Sequence, residues 1–153
     1  MSEVRVRVWR VGRNSDSHYL LVLRDDARHL LPMVIGPCEA MAIWSVVREG
    51  TGGTRRPVTH DLLRDLIEGL GGRLVKVVID DLWNGVYYAK LHIAADGETL
   101  TVDARPSDAV AVGLRMEAPL FATESVMTAA SEPEQPADSG EASPDTDLGL
   151  DDL

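Results

Sequence analysis

Asp103-Ala104-Arg105-Pro106-Ser107-Asp108-Ala109-Val110-Ala111 is the stretch whose reading decides the fold. A polar turn there leaves an alternating run and enters an alanine-rich helix at a proline. Proline suits the first helical position, where its missing N–H costs nothing and its φ is already set. An acid two residues on meets the positive end of the helix dipole. Sixty-nine residues earlier, Gly36-Pro37-Cys38-Glu39-Ala40-Met41-Ala42 places Pro, acid, Ala and Ala at the same spacing. At this offset Val6 and Val8 align with Val75 and Val77, Arg7 with Lys76, and Tyr19 with Tyr88. Self-similarity in this order predicts duplicated strand-strand-strand-helix units related by a pseudo-twofold axis. The fold class that follows is α+β, a mostly antiparallel sheet with helices packed on it.

Working outward, Val4, Val6 and Val8 alternate with Arg5, Arg7 and Trp9 as a half-buried strand. Residues 18–23 and 30–35 read as the next two strands, with Pro32 expected at a strand start or on an edge. A helix is predicted over 37–49. Thr59 is the expected N-cap of a second helix, with Asp61 in its first turn. Leu62, Leu63, Leu66, Ile67 and Leu70 follow at helical spacing, so this helix is expected to pack its apolar face on the sheet. Residues 74–79, 86–93 and 99–103 read as strands, the first two joined by an Asn84-Gly85 hairpin turn. A helix over 106–116, a short strand over 120–123 and a helical turn over 124–130 complete the body.

The formal net charge of −10 is unevenly spread. All fifteen Lys and Arg lie in residues 1–130 beside seventeen Asp and Glu, whereas residues 131–153 hold eight acids and no base. The division expected is a domain over 1–130 and an acidic disordered tail over 131–153. A nearly neutral body leaves room for a nucleic-acid partner, which the tail would repel. No apolar run approaches the length of a membrane span, no signal-peptide pattern opens the chain, and a single cysteine excludes an internal disulfide. A cytoplasmic protein is the expectation.

Several ordered motifs carry a family resemblance: Leu31-Pro32-Met33-Val34-Ile35-Gly36, Thr59-His60-Asp61-Leu62-Leu63, Leu70-Gly71-Gly72, Tyr87-Tyr88-Ala89-Lys90-Leu91 and the opening Asp103–Ala109 stretch. Together they resemble the bifunctional nuclease (BFN) domain family over roughly residues 4–127. The resemblance implies a duplicated α+β fold and, as in the plant namesakes, hydrolysis of RNA and DNA. Cys38 departs from the bulky Phe or Tyr expected at its position, and the charged positions are intact.

Phosphodiester hydrolysis needs an activated water and a counter to the charge that develops on the phosphoryl oxygens. Arg105 is the candidate phosphate clamp, with Ser107 beside it. Asp103 or Asp108 would act as base or bind Mg²⁺ or Mn²⁺, with Glu39 a further catalytic or metal ligand if the two helix starts meet. The competing reading is an internal ion pair of Arg105 with Asp103 or Glu39. His60 is either a general acid or base or an exposed neighbour of a helix cap. Arg5 and Arg7 with Trp9 form a basic row of the kind single-strand binders use, and Arg55 and Arg56 lie in a glycine-rich loop that closes over a backbone or is simply solvated. Asp80-Asp81 and Cys38 are better read as turn residues and a small polar filler.

Two functions remain open on these grounds. One is a nuclease acting on RNA or DNA, single strands above all. The other is a non-catalytic assembly module in which the alanine-rich helices mediate a homo-oligomer and the Asp103–Asp108 turn is structural. The tail, ending in leucines and acids, is a solubilising segment, a cover for the basic row, or a dock for a protein partner.

Overall fold

The computed structural model describes residues 2–51 and 56–136. The period-two run at the N-terminus builds β1 (Glu3–Arg13), which pairs antiparallel with β2 (Tyr19–Asp25), and β2 with β3 (His29–Ile35). The same meander recurs as β4 (Arg73–Trp83), β5 (Val86–Ala95) and β6 (Glu98–Ala104). Its two turns each need two successive residues at positive φ, and Asn84 (53°) with Gly85 (77°) and Asp96 (52°) with Gly97 (78°) provide them. Helix α1 (Pro37–Glu49) follows β3 and helix α3 (Pro106–Arg115) follows β6, each starting at its proline. Between the units lies α2 (Thr59–Gly69), and after them come β7 (Leu120–Thr123), α4 (Glu124–Ala130) and β8 (Glu132–Pro133).

All eight strands form one sheet in the order β6-β5-β4-β7-β1-β2-β3-β8. The short β7 is the seam, parallel to β4 and antiparallel to β1. β1 and β4 therefore run in opposite directions, an arrangement compatible with two units related by a twofold axis. The sheet is strongly curled: the Tyr87 hydroxyl on β5 donates to the Pro32 carbonyl on β3 at 3.1 Å, although four strands separate them. In a flat sheet five strand spacings would hold these strands roughly 24 Å apart. Register shifts at Val8/Arg10 and Ile79/Asp81 add local bend. Pro32 lies in mid-strand, on the edge that β8 covers only at His29 and Leu30, so its missing donor breaks no ladder.

Leu21, Leu23, Leu31, Ile43, Val77, Ile79, Val110 and Val112 form the innermost core. α1 rests on β1 and β2, α3 on β4 and β5, and the two helices touch each other. The small residue in α3 serves helix-to-sheet rather than helix-to-helix approach. A Cβ on Gly113 would stand 2.9 Å from both Val77 and Leu120.

The structure differs from sequence expectation in three places. The N-cap of α2 is Val58, not Thr59, because Asp61 reaches back to accept from the Val58 N–H at 2.9 Å. The apolar face of α2 does not pack on the sheet: Leu62, Leu63, Leu66 and Leu70 are between 38% and 81% exposed, while His60 and Ile67 turn inward. The sheet also continues past residue 130, where the tail was expected to begin, as β8 pairs with β3 and Glu134 ion-pairs with Arg24 (3.1 Å) and Arg28 (3.0 Å). Residues 137–153 lie outside the described residues. Among the described residues no helix is long and apolar enough to cross a membrane.

Candidate functional site

Both Pro-led helix starts and the start of α2 come together at one place. The opening turns of α1, α3 and α2 carry Glu39, Asp108 and His60 respectively, and Arg105 stands just before α3. Arg105 Nη2 donates to Glu39 Oε1 at 2.7 Å and lies 2.8 Å from Asp108 Oδ2, to which Nε also donates at 2.9 Å. The other Asp108 oxygen is 2.8 Å from His60 Nε2. An ionised carboxylate only accepts, so His60 Nε2 carries the hydrogen and donates. The result is a continuous chain Glu39–Arg105–Asp108–His60 across three helices.

Glu39 fits because of Gly36. A Cβ at position 36 would push against the Glu39 carboxylate, so glycine at the position that aligns with Arg105 leaves that side chain room to reach Arg105. Asp108 first, then Glu39, holds the Arg105 guanidinium protonated more firmly than an ordinary arginine. His60 is buried, which removes the reading of an exposed cap neighbour. Its neighbour Asp61 turns the other way and accepts from Arg115 Nε at 2.7 Å. That arginine side chain is 2% exposed and also donates to the Ala111 carbonyl. Sequence reading missed Arg115, and the available signal was a charge closing an otherwise apolar helix.

Asp103 does not join the cluster. Val102 and Ala104 face the core, and strand alternation sends Asp103 to the opposite side of β6. Its carboxylate there meets Lys90 at 3.3 Å, and Lys90 is also 2.7 Å from Asp80. Glu39, Asp103 and Asp108 therefore do not form a common metal site, and among the described residues no group of three or more His, Cys, Asp or Glu is placed to hold an ion. Arg5 and Arg7 are exposed on the side of β1 opposite its core valines; Arg5 lies over the Phe121 ring and Arg7 pairs with Asp26 at 3.5 Å. Arg24 lies over one face of the Trp9 ring, 4.5 Å from its centroid. Arg56 lines a small pocket with Arg64 and Arg115, and Arg55 lies outside the described residues.

Ser107 is buried and lines a larger groove of about 590 Å³ beside Arg105. Its walls are Pro32, Val34 and Ile35 from β3 and Val86 and Tyr87 from the β4–β5 hairpin, brought together by the curl of the sheet.

The bifunctional nuclease domain family matches residues 21–135. The chain belongs to this family. An uncharacterized protein of Mycobacterium tuberculosis (strain H37Rv) is 41% identical over 130 residues, 85% of this chain and 76% of that protein. Bifunctional nuclease 1 of Oryza sativa subsp. japonica is 28% identical over 113 residues, 71% of this chain and 34% of the plant protein. Bifunctional nuclease 2 of the same plant is 25% identical over 104 residues, 66% and 31% of the two chains. The BFN domain thus spans about a third of the plant proteins it resembles.

Proposed function

We propose that this BFN-domain protein is a nuclease that hydrolyses phosphodiester bonds in RNA or DNA, on single strands, at the Glu39–Arg105–Asp108–His60 chain. The observation that carries this reading is the convergence of those four side chains, contributed by both units and by the intervening helix. Arg105 uses Nε and Nη2 on the carboxylates and keeps Nη1 for a phosphoryl oxygen. Glu39 and Asp108 are the proton acceptors near that oxygen, and His60 is a positioning residue that fixes the Asp108 carboxylate. A bound Mg²⁺ or Mn²⁺ would be held there by the Glu39 and Asp108 carboxylates together with phosphate oxygens and water.

The test is release of nucleotides from a labelled single-stranded oligonucleotide with Mg²⁺ or Mn²⁺ added. Arg105→Ala is expected to lower kcat/KM by about a hundredfold, the cost of removing one donor to a developing oxyanion. Arg105→Lys, which keeps the charge but not the two-sided geometry, should recover only part of it. A folded Arg105→Ala protein that cleaves at the wild-type rate removes this site.

A second reading, a non-catalytic assembly module, is favoured by the uncovered face of α2. Contiguous apolar patches of this kind on a soluble protein mark interfaces. A second copy would cover the patch about a twofold axis at Leu66, with Leu62 set opposite the second copy's Leu70. This homo-oligomer is compatible with the nuclease reading.

A further inference from the structure

We propose that the groove beside the network holds one unpaired nucleotide, its base against the apolar walls and its phosphate at the start of α3. The substrate class rests on the nuclease reading; the placement rests on the groove itself. At about 590 Å³ it falls within the range of small-ligand sites. Pro32, Val34, Ile35 and Val86 offer flat apolar contact and Tyr87 an aromatic ring, with its hydroxyl already committed to the Pro32 carbonyl.

Polar groups collect at one end only. Ser107 is 6% exposed, lines the groove, and makes no side-chain hydrogen bond among the described residues. Its N–H and that of Asp108 lie in the first turn of α3, where no intrahelical acceptor exists. Pro106 contributes no N–H, and the first intrahelical bond is Ala109 to the Arg105 carbonyl. Arg105 Nη1 adds an N–H donor, while the guanidinium charge offsets one of the two carboxylates, Glu39 and Asp108, that flank it. An apolar slot ending in a hydroxyl, free helix N–H groups and a guanidinium matches a base joined to a phosphate. Bases stacked inside a duplex cannot enter it, which gives the single-strand preference a physical origin.

Binding is measured by anisotropy with a labelled ten-nucleotide single strand carrying nuclease-resistant linkages, as DNA and as RNA, beside an abasic strand of equal length. Val86 is half exposed at the rim, so Val86→Asp places a carboxylate in the base slot without touching the core. Stacking of one base is worth a factor of roughly five to a hundred in affinity. Val86→Asp should therefore weaken the normal strand about tenfold and leave the abasic strand unchanged. Ser107→Ala should weaken both strands severalfold with thermal stability retained. Equal affinity for normal and abasic strands, an unaffected Val86→Asp protein, or no strand binding by wild type overturns the proposal. Binding that depends on Val86 without any cleavage removes the nuclease reading and leaves the groove. Cleavage at an unchanged KM in Val86→Asp removes the groove and leaves the nuclease.

Discussion

Asp61 shows how a single carboxylate is pulled in two directions. Burial pushes its pKa up, but the Val58 N–H and the Arg115 guanidinium outweigh burial and hold it below the ordinary value of 3.8. A folded pKa below the unfolded one means that this stabilisation is present above about pH 4 and is lost as the pH falls through the folded value. Removing the charge also leaves Arg115 buried and unpaired. Asp61→Asn is expected to cost about 3 kcal/mol at pH 7, roughly 10 °C in Tm for a chain of this size. In melts from pH 7 to 3, the gap between wild type and variant should close below about pH 4. A constant gap would mean that the pair is not what stabilises α2. At this scale Pro37 and Pro106 were legible as helix starts, because the proline ring acts on its own turn. For Arg105 the sequence offered Glu39, 66 residues away, as one of two ion-pair partners beside Asp103, and packing chose Glu39; its second partner, Asp108, was not among them. Asp103 was a readable miss: in a strand that alternates with Val102 and Ala104, it had to leave the side of the sheet on which Arg105 begins the helix.

Helix α2 is the element whose pattern was read correctly and placed wrongly. Apolar residues at helical spacing reveal that a helix has an apolar face, but the spacing is silent on what covers it. The inward side is taken by His60 and Ile67 and by the Asp61–Arg115 pair, which leaves the leucines outside. If a second copy covers them, Leu66→Glu sets two carboxylates against each other at the twofold axis. Light scattering should then report about 33 kDa for wild type and the chain mass of 16.6 kDa for the variant. With Leu66 half exposed in the single chain, the variant's fold should be retained. A wild-type monomer, or a Leu66→Glu dimer, rules out this interface.

On the scale of the whole molecule, two short strands hold the sheet together. Leu120 to Thr123 joins the halves, and Glu132-Pro133 covers the end of β3. Beyond β8, Arg28 first and then Arg24 draw the Glu134 carboxyl below its usual range. A chain cut after residue 130 should therefore melt below one cut after residue 136, by several degrees at low salt. The difference should shrink as the pH falls through the lowered Glu134 pKa, since that contribution exists only while the carboxylate is charged. Equal melting temperatures would show β8 to be incidental to stability. The dipeptide strand was invisible in the sequence: two residues carry no periodicity, and its charged surroundings read as the start of a solvated tail.

By itself the sequence determined the parts whose physics is short in range. Alternation made the strands, paired positive-φ residues made the Asn84-Gly85 and Asp96-Gly97 turns, and prolines with first-turn acids opened α1 and α3. Its ordered motifs carried the family, and its pattern of strands and helices the α+β class. Only the tertiary structure decided which charges meet, which face of α2 stays uncovered, and that the curl of the sheet makes a groove between β3 and the β4–β5 hairpin. Those outcomes depend on through-space distances of a few ångströms between residues dozens of positions apart, and no local pattern encodes them. The Asp103–Ala109 stretch holds both kinds of information. Its helix start was readable in the chain; the role of Arg105 as the link between two units was set by packing.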